Sequence, residues 1–79
     1  MAFTSDQLHE LNLLTLFNLH STREGIKVHS HEATFDAVAA AERLYDKGLT
    51  TQKDGGYLTQ LGIEAAEHAQ SLLSILGEK

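Results

Sequence analysis

The sequence predicts an α+β fold, mainly helical, with three helices and a small β-hairpin in a single domain over residues 1–79. The chain contains no proline, so its six glycines are the breaks that divide it into separate runs. Apolar residues recur at helical spacing in three of these runs. Asp54-Gly55 lies between two β-prone stretches, which is typical of a tight hairpin. A chain of 79 residues suffices for one domain of this kind.

The first helix is predicted from about Ser5 to Leu19. Thr4 and Gln7 have the three-residue spacing of a capping box, which satisfies free amides at a helix start. Leucines recur at helical spacing from Leu8 onward, and further apolar residues widen the stripe in the second half. The helix is therefore expected to bury more than one side, through Leu11, Leu13, Leu14, Leu16, Phe17 and Leu19.

The helical pattern breaks between His20 and Ala33. Alternation of apolar and polar residues predicts a short extra strand, or an extended loop, over residues 26–29. A second helix is expected to start near Ala33 or Thr34 and to end at Gly48, because glycine suits the left-handed cap of a helix. Its amphipathic stripe contains Phe35, Val38, Ala39, Ala41, Leu44 and Tyr45.

The hairpin is predicted from Leu49 to Thr59, with its turn at Asp54-Gly55. Thr59 then suits the cap of a third helix that runs to about Leu76 and stops at Gly77. The apolar stripe of this helix has small residues at its start and leucines at its end, namely Ala65 or Ala66, Ala69, Leu72, Leu73 and Leu76.

Composition excludes several classes of function. Eleven acidic residues against six basic ones give a net charge of −5, which disfavours a surface that neutralises phosphates. Without cysteine there are no disulfides, as is usual in the cytosol. The amino terminus lacks a basic signal-peptide region, and no apolar run approaches the roughly 18 residues of a membrane span. We expect a soluble, unprocessed cytoplasmic protein without a membrane partner.

Two stretches of the sequence resemble the winged-helix fold. Leu44 to Thr50 is similar to the end of its recognition helix with the following turn, and Asp54 to Gly62 is similar to its hairpin, or wing, and next helix start. Nearly the whole chain also resembles a small family of short gammaproteobacterial proteins of unknown function, most clearly over residues 25–29 and 55–69. Some members of that family carry a DNA-binding label. The resemblance implies a winged-helix-like fold and transfers no catalytic or ligand residues.

In winged-helix regulators the helix before the hairpin lies in the major groove. That role would fall to Phe35–Lys47, and the candidate DNA-binding residues are Arg43, Lys47 and Lys53. These three cations would neutralise about three phosphates, which is a weak electrostatic contribution. Arg23 and Lys27 are the other cations nearby. The alternative is that Arg43 and Lys47 pair with Asp46 or Glu42 on a solvated face.

The sequence contains few residues that could carry out enzyme catalysis. The sequence has no cysteine nucleophile, no glycine-rich phosphate loop with its lysine and no serine in an elbow motif, so we expect no catalytic residue and no cofactor. His29, His31 and Glu32 suggest a metal site, but a zinc ion needs three or four convergent ligands. Solvated loop histidines are favoured. Glu64 and His68 miss the Glu-x-x-His spacing of a di-iron helix, so no metal is expected there either.

Large apolar residues are concentrated on the first and third helices, beyond what one hairpin and one helix can cover. Exposed apolar patches of this kind mark interfaces, and two-fold dimers are the commonest oligomers. We therefore expect a non-enzymatic interaction module, with a homodimer interface and room for a protein partner; the alternatives are an antiparallel monomeric packing of the two helices and a winged-helix DNA-binding regulator. The predicted interface consists of Leu11, Leu14, Phe17, Leu72, Leu73 and Leu76.

Overall fold

The computed structural model describes residues 2–21 and 24–77 of the chain. Three helices pack around one core, and a three-stranded antiparallel sheet lies against them with strand order β1-β3-β2. This confirms the predicted α+β class, and the arrangement is winged-helix-like. In chain order the elements are α1 (Ser5–Leu14), β1 (Ile26–Lys27), α2 (Phe35–Asp46), β2 (Thr50–Gln52), β3 (Gly55–Leu58) and α3 (Gln60–Leu76).

All three helices begin at a threonine. Thr4 and Gln7 form the predicted capping box of α1, in which the Gln7 amide donates to Thr4 Oγ1 at 3.1 Å. Thr34 accepts from the Ala37 amide at the start of α2, and Thr59 accepts from the Gly62 amide at the start of α3. These side chains satisfy backbone donors that would otherwise lack partners.

The first helix ends earlier than its apolar pattern predicts, at Leu14 instead of Leu19. The Thr15 hydroxyl donates to the Asn12 carbonyl at 2.6 Å, and the Leu16 amide donates to Leu13 in a tighter turn. Such side-chain bonds compete with the continuing helical ladder. The chain turns here, so that Phe17 enters the core while Leu16 stays 64% exposed.

The second helix is confirmed, but two members of its predicted apolar stripe were placed on the wrong face. Phe35 is 83% exposed and Tyr45 is 39% exposed. The buried face of α2 centres on Ala40 and Leu44. Phe35 and Tyr45 each lie five residues from Ala40, which is about 140° around the helix and therefore outside that face.

The predicted hairpin is confirmed, with its left-handed residues one position later than Asp54-Gly55 suggests. Gly55 and Gly56 have φ of 124° and 75°. The pairing register shifts between Thr50 and Gln52, which marks a bulge. The extra strand is also present, but it covers only Ile26–Lys27 of the predicted 26–29.

The core lies where the three helices meet. Alanines at the helix contacts allow the backbones to approach closely, and Leu44, 1% exposed, is its largest fully buried side chain. Gly48 ends the second helix with a φ of 81°, which confirms its predicted role as a left-handed cap. The buried apolar residues are Leu13, Leu14, Phe17, Ala40, Ala41, Leu44, Ala66 and Ala69.

Candidate interaction surface

A cluster of charged side chains joins α1 to α2. Arg43 Nε donates to Glu10 Oε2 at 2.7 Å, and Lys47 Nζ donates to Glu10 Oε1. The Arg43 guanidinium also donates to the main-chain oxygen of Asp6 at 3.2 Å. Arg43 and Lys47 lie four residues apart and so share one face of α2. That face is turned towards α1, and one carboxylate receives both cations.

Glu10 is the centre of this charged cluster and is only 6% exposed. Burial raises the pKa of its carboxyl, but the hydrogen bonds from Lys47 and Arg43 and the attraction of their charges outweigh burial, so the pKa lies below its usual value. The bond with Glu10 in turn raises the pKa of the Arg43 guanidinium. The carboxylate is therefore ionised at neutral pH and holds α1 against α2.

Sequence analysis did not identify Glu10 as a buried charged residue, although its position in the apolar pattern indicates it. Glu10 precedes Leu13, Leu14 and Phe17 by three, four and seven residues, so it lies on the buried stripe of α1. A charged residue on such a stripe needs a buried partner, because an unpaired charge there is costly. Two cations four residues apart on another helix are the partners that this position requires.

The candidate DNA-binding residues are thus divided between two places. Arg43 and Lys47 bond to Glu10 of α1, instead of to Asp46 or Glu42 within α2 as the alternative had it. Lys53 is exposed on the hairpin turn and is not among the partners of Glu10. Lys27 Nζ lies 3.6 Å from Asp54 Oδ2. Arg23, also considered from the sequence, lies outside the described residues.

The predicted dimer interface is divided as well. Leu14 and Phe17 are 5% and 4% exposed within the single chain, since the turn after α1 directs them into the core. They have no surface left for a second copy, which corrects their placement in the interface. The members that keep a surface are Leu11, half-buried, and the α3 residues Leu72, Leu73 and Leu76.

These surface-accessible members line an apolar groove between α1 and α3. The groove has a volume of about 200 Å³. Phe3, just before α1, and Leu8 of α1 also line the groove, although sequence reasoning did not place them in the interface; they are 57% and 50% exposed. No acidic or basic side chain lines it; its lining residues are Phe3, Leu8, Leu11, Asn12, Thr15, Ala69, Leu72, Leu73 and Leu76.

The last turns of α3 extend beyond the core. Every residue over 71–77 is exposed, and four of these seven are large and apolar. Ile75 and Leu76 are the most exposed of the four, at 78% and 73%. Residues 69–77 include no charged side chain, in a chain of which 22% is charged. A helix end of this composition gains stability only when its apolar side is covered.

The loop histidines lie at a different cleft. His29 and His31 are exposed beside Lys27, Glu42 and Lys53, in an open cleft of about 350 Å³ between α2 and the hairpin turn. Over residues 2–21 and 24–77, no group of three histidine or carboxylate side chains converges as a metal site would require. Within the same ranges, no helix is long and apolar enough to cross a membrane.

Three helices, a sheet in the order β1-β3-β2 and an uncharged apolar groove define a small winged-helix-like α+β domain. The chain matches the model of a family of unknown function, DUF5669, over residues 1–77, and it belongs to that family. No curated protein and no solved structure matches the chain. The gammaproteobacterial origin and the DNA-binding label implied by the resemblance stay predictions.

Proposed function

We propose that the protein is a non-enzymatic cytoplasmic interaction module that works as a homodimer through its two terminal helices. The observation that carries the proposal is the exposed apolar surface of α1 and α3, with Leu73 and Leu76 at 56% and 73% exposure. Contiguous apolar patches beyond a few hundred Å² are uncommon on monomers and mark interfaces. A second copy is the occupant that requires no further partner.

The area of the folded chain supports this proposal. Its accessible surface is 5530 Å², whereas area scaling gives about 4,700 Å² for a compact monomer of this mass. The excess of roughly 800 Å² is comparable to what one partner buries in a standard protein interface. An unusually large surface, with much of its apolar part at the groove and the end of α3, is expected of a subunit viewed alone.

Charge also favours a second copy at this surface. Two chains of net charge −5 repel one another, so a contact between them is least unfavourable where the touching surfaces carry no charge. The groove and the end of α3 satisfy that condition. The acidic remainder of the dimer would then be available to a protein with a basic face.

Light scattering at micromolar concentration tests the homodimer. We expect a mass near twice the 8.7 kDa of one chain. Leu76→Asp places a charge in the groove and should give the single-chain mass with an unchanged circular dichroism spectrum. Leu16→Asp is the matched control, since Leu16 is 64% exposed and does not line this groove, and it should stay dimeric. A single-chain mass for the unmodified protein would refute the proposal.

The second candidate function is a winged-helix DNA-binding regulator, favoured by the strand order and by the position of α2 before the hairpin. Its cations would be Arg43, Lys47 and Lys53. Two of them donate to Glu10, which weighs against this function. An amide-shift titration with mixed-sequence duplex at low salt discriminates the candidates. Shifts confined to residues 34–53 that vanish as salt rises would favour DNA binding; an unchanged spectrum would exclude it.

A further inference from the structure

One flank of α3, beside its buried face, carries a line of uncharged residues that the groove only partly includes. Leu61, Ala65, His68, Leu72 and Ile75 are spaced by four, three, four and three residues. At 100° per residue they fall within a sector of about 80° on the helix surface. Leu61, His68, Leu72 and Ile75 are exposed, and Ala65 is half-buried. We call this line the α3 stripe.

We propose that the α3 stripe packs against the α3 stripe of a second copy, with the two helices antiparallel and the two-fold axis at His68. This inference rests on the proposed homodimer and adds the register of the α3 part of its interface. His68 is the middle residue of the stripe, seven positions from both Leu61 and Ile75. In this register Leu61 faces Ile75 of the second copy, so both ends of the stripe are covered at once. The covered length, from Leu61 to Ile75, is about 21 Å.

The acidic residues of α3 favour the antiparallel direction. A parallel pair would place Glu64 beside Glu64 of the second copy. In the antiparallel pair centred on His68, the two Glu64 residues are separated by eight helical positions, or about 12 Å along the axis. That separation exceeds the Debye length of about 8 Å at physiological ionic strength. Glu67 lies about 100° around from His68 and is turned away from the second copy.

A histidine suits the two-fold position. A neutral imidazole has one nitrogen that donates and one that accepts, so two copies of His68 can hydrogen-bond to each other across the axis. On either side of it, Leu72 lies level with Glu64 and one position from Ala65 of the second copy, so the small Ala65 leaves room for the leucine. Alternation of this kind allows two helices to pack closely.

Cysteine cross-linking tests the register, and the chain contains no cysteine that would interfere. Packed helices have axes about 8–10 Å apart, so Cα atoms at a two-fold position come within the roughly 4.4–6.8 Å that a disulfide bridges. Under mild oxidation with copper phenanthroline, we expect H68C to form cross-linked dimers as its main product. L61C and I75C, each alone, should not cross-link, because their two copies would lie about 21 Å apart.

A mixture of L61C and I75C should cross-link each to the other. S74C is the control, since Ser74 is exposed on the same helix and turned away from the stripe. Light scattering of every reduced sample separates the two proposals. A dimeric H68C protein that fails to cross-link would overturn the register and leave the homodimer intact. Self-cross-linking of L61C and I75C would show a parallel pair and overturn the register too, whereas single-chain masses would overturn both proposals.

Discussion

The contact between α1 and α2 encloses a charged side chain with its partners, whereas the end of α3 leaves four large apolar side chains in water. Glu10 is 6% exposed and receives hydrogen bonds from Arg43 and Lys47. Ile75, by contrast, is 78% exposed. The first region needs no second chain, because its buried carboxylate already has both of its cationic partners. The second region is uncovered within one chain, and the proposed second copy would cover it without adding charge.

The largest effect is expected from a substitution in the buried core. Leu44→Ala should lower the free energy of unfolding by about 2–5 kcal/mol, because it removes buried contacts and leaves a cavity. For a domain of this size, that is a large part of the whole stability. Urea unfolding followed by circular dichroism measures the loss. Leu16→Ala, at an exposed leucine, should change stability by less than about 0.5 kcal/mol, and equal losses in the two variants would contradict the assigned core.

The next effect concerns the charged cluster. Glu10→Gln keeps the shape of the side chain but removes its charge, so the bonds from Arg43 and Lys47 weaken. We expect a loss of about 2 kcal/mol in the free energy of unfolding at pH 7. The matched control is Glu42→Gln, which removes an exposed carboxylate from α2. If both variants unfold at the same urea concentration, Glu10 does not hold the two helices together.

Acid should remove the advantage that Glu10 gives the native chain. The folded pKa of Glu10 is lowered, so its contribution is complete above the unfolded value of about 4.3 and is lost as pH falls through the folded pKa. The difference between the native chain and Glu10→Gln should therefore shrink as the pH falls below the unfolded value. Urea midpoints at several pH values measure it, and a constant difference would disprove the link to ionisation.

Substitutions at the exposed end of α3 should change dimerisation and leave the stability of the single chain nearly unchanged. Ile75→Asp should weaken dimerisation more than tenfold, because each interface would bury two unpaired charges. The unfolding free energy of the separated chain should change by less than about 0.5 kcal/mol, since Ile75 is exposed there. Sedimentation velocity measures the first quantity and urea unfolding of the diluted protein the second. Ser74→Asp is the control and should stay dimeric.

The smallest effect should leave both regions intact. Gly48 has a φ of 81°, and a side chain added there would meet nothing within 4 Å. Gly48→Ala therefore has only a backbone cost, which we expect to be about 1 kcal/mol. Gly48→Asn should lose less, because asparagine tolerates the left-handed conformation. Thermal unfolding ranks the two variants, and a change in oligomeric mass for either would be unexpected.

Local signals in the sequence predicted most of the fold. Threonine caps, Gly48 and the Asp54-Gly55 turn each act over a few residues, and the structure confirms each element near its expected position. The errors depend on contacts far apart in the chain. The pattern of leucines continues past Leu14, and only tertiary packing decides that the chain turns there to bury Phe17.

The candidate site was harder to predict from the sequence, because it also depends on contacts between residues far apart in the chain. Arg43 and Lys47 have the spacing of a cationic face, and nothing local shows that Glu10, more than thirty residues earlier, occupies that face. Leu14 was assigned to an interface because apolar pattern alone does not separate a core from a docking surface. Leu72, Leu73 and Leu76 of α3 are exposed, and their place in an interface stays a prediction.

The proposed homodimer requires that a second copy covers the end of α3. Sedimentation equilibrium of the unmodified chain, over a concentration series through the micromolar range, tests it directly. We predict a mass near twice 8.7 kDa at the upper end, which decreases towards one chain on dilution. A mass of 8.7 kDa at every concentration would contradict the proposed homodimer.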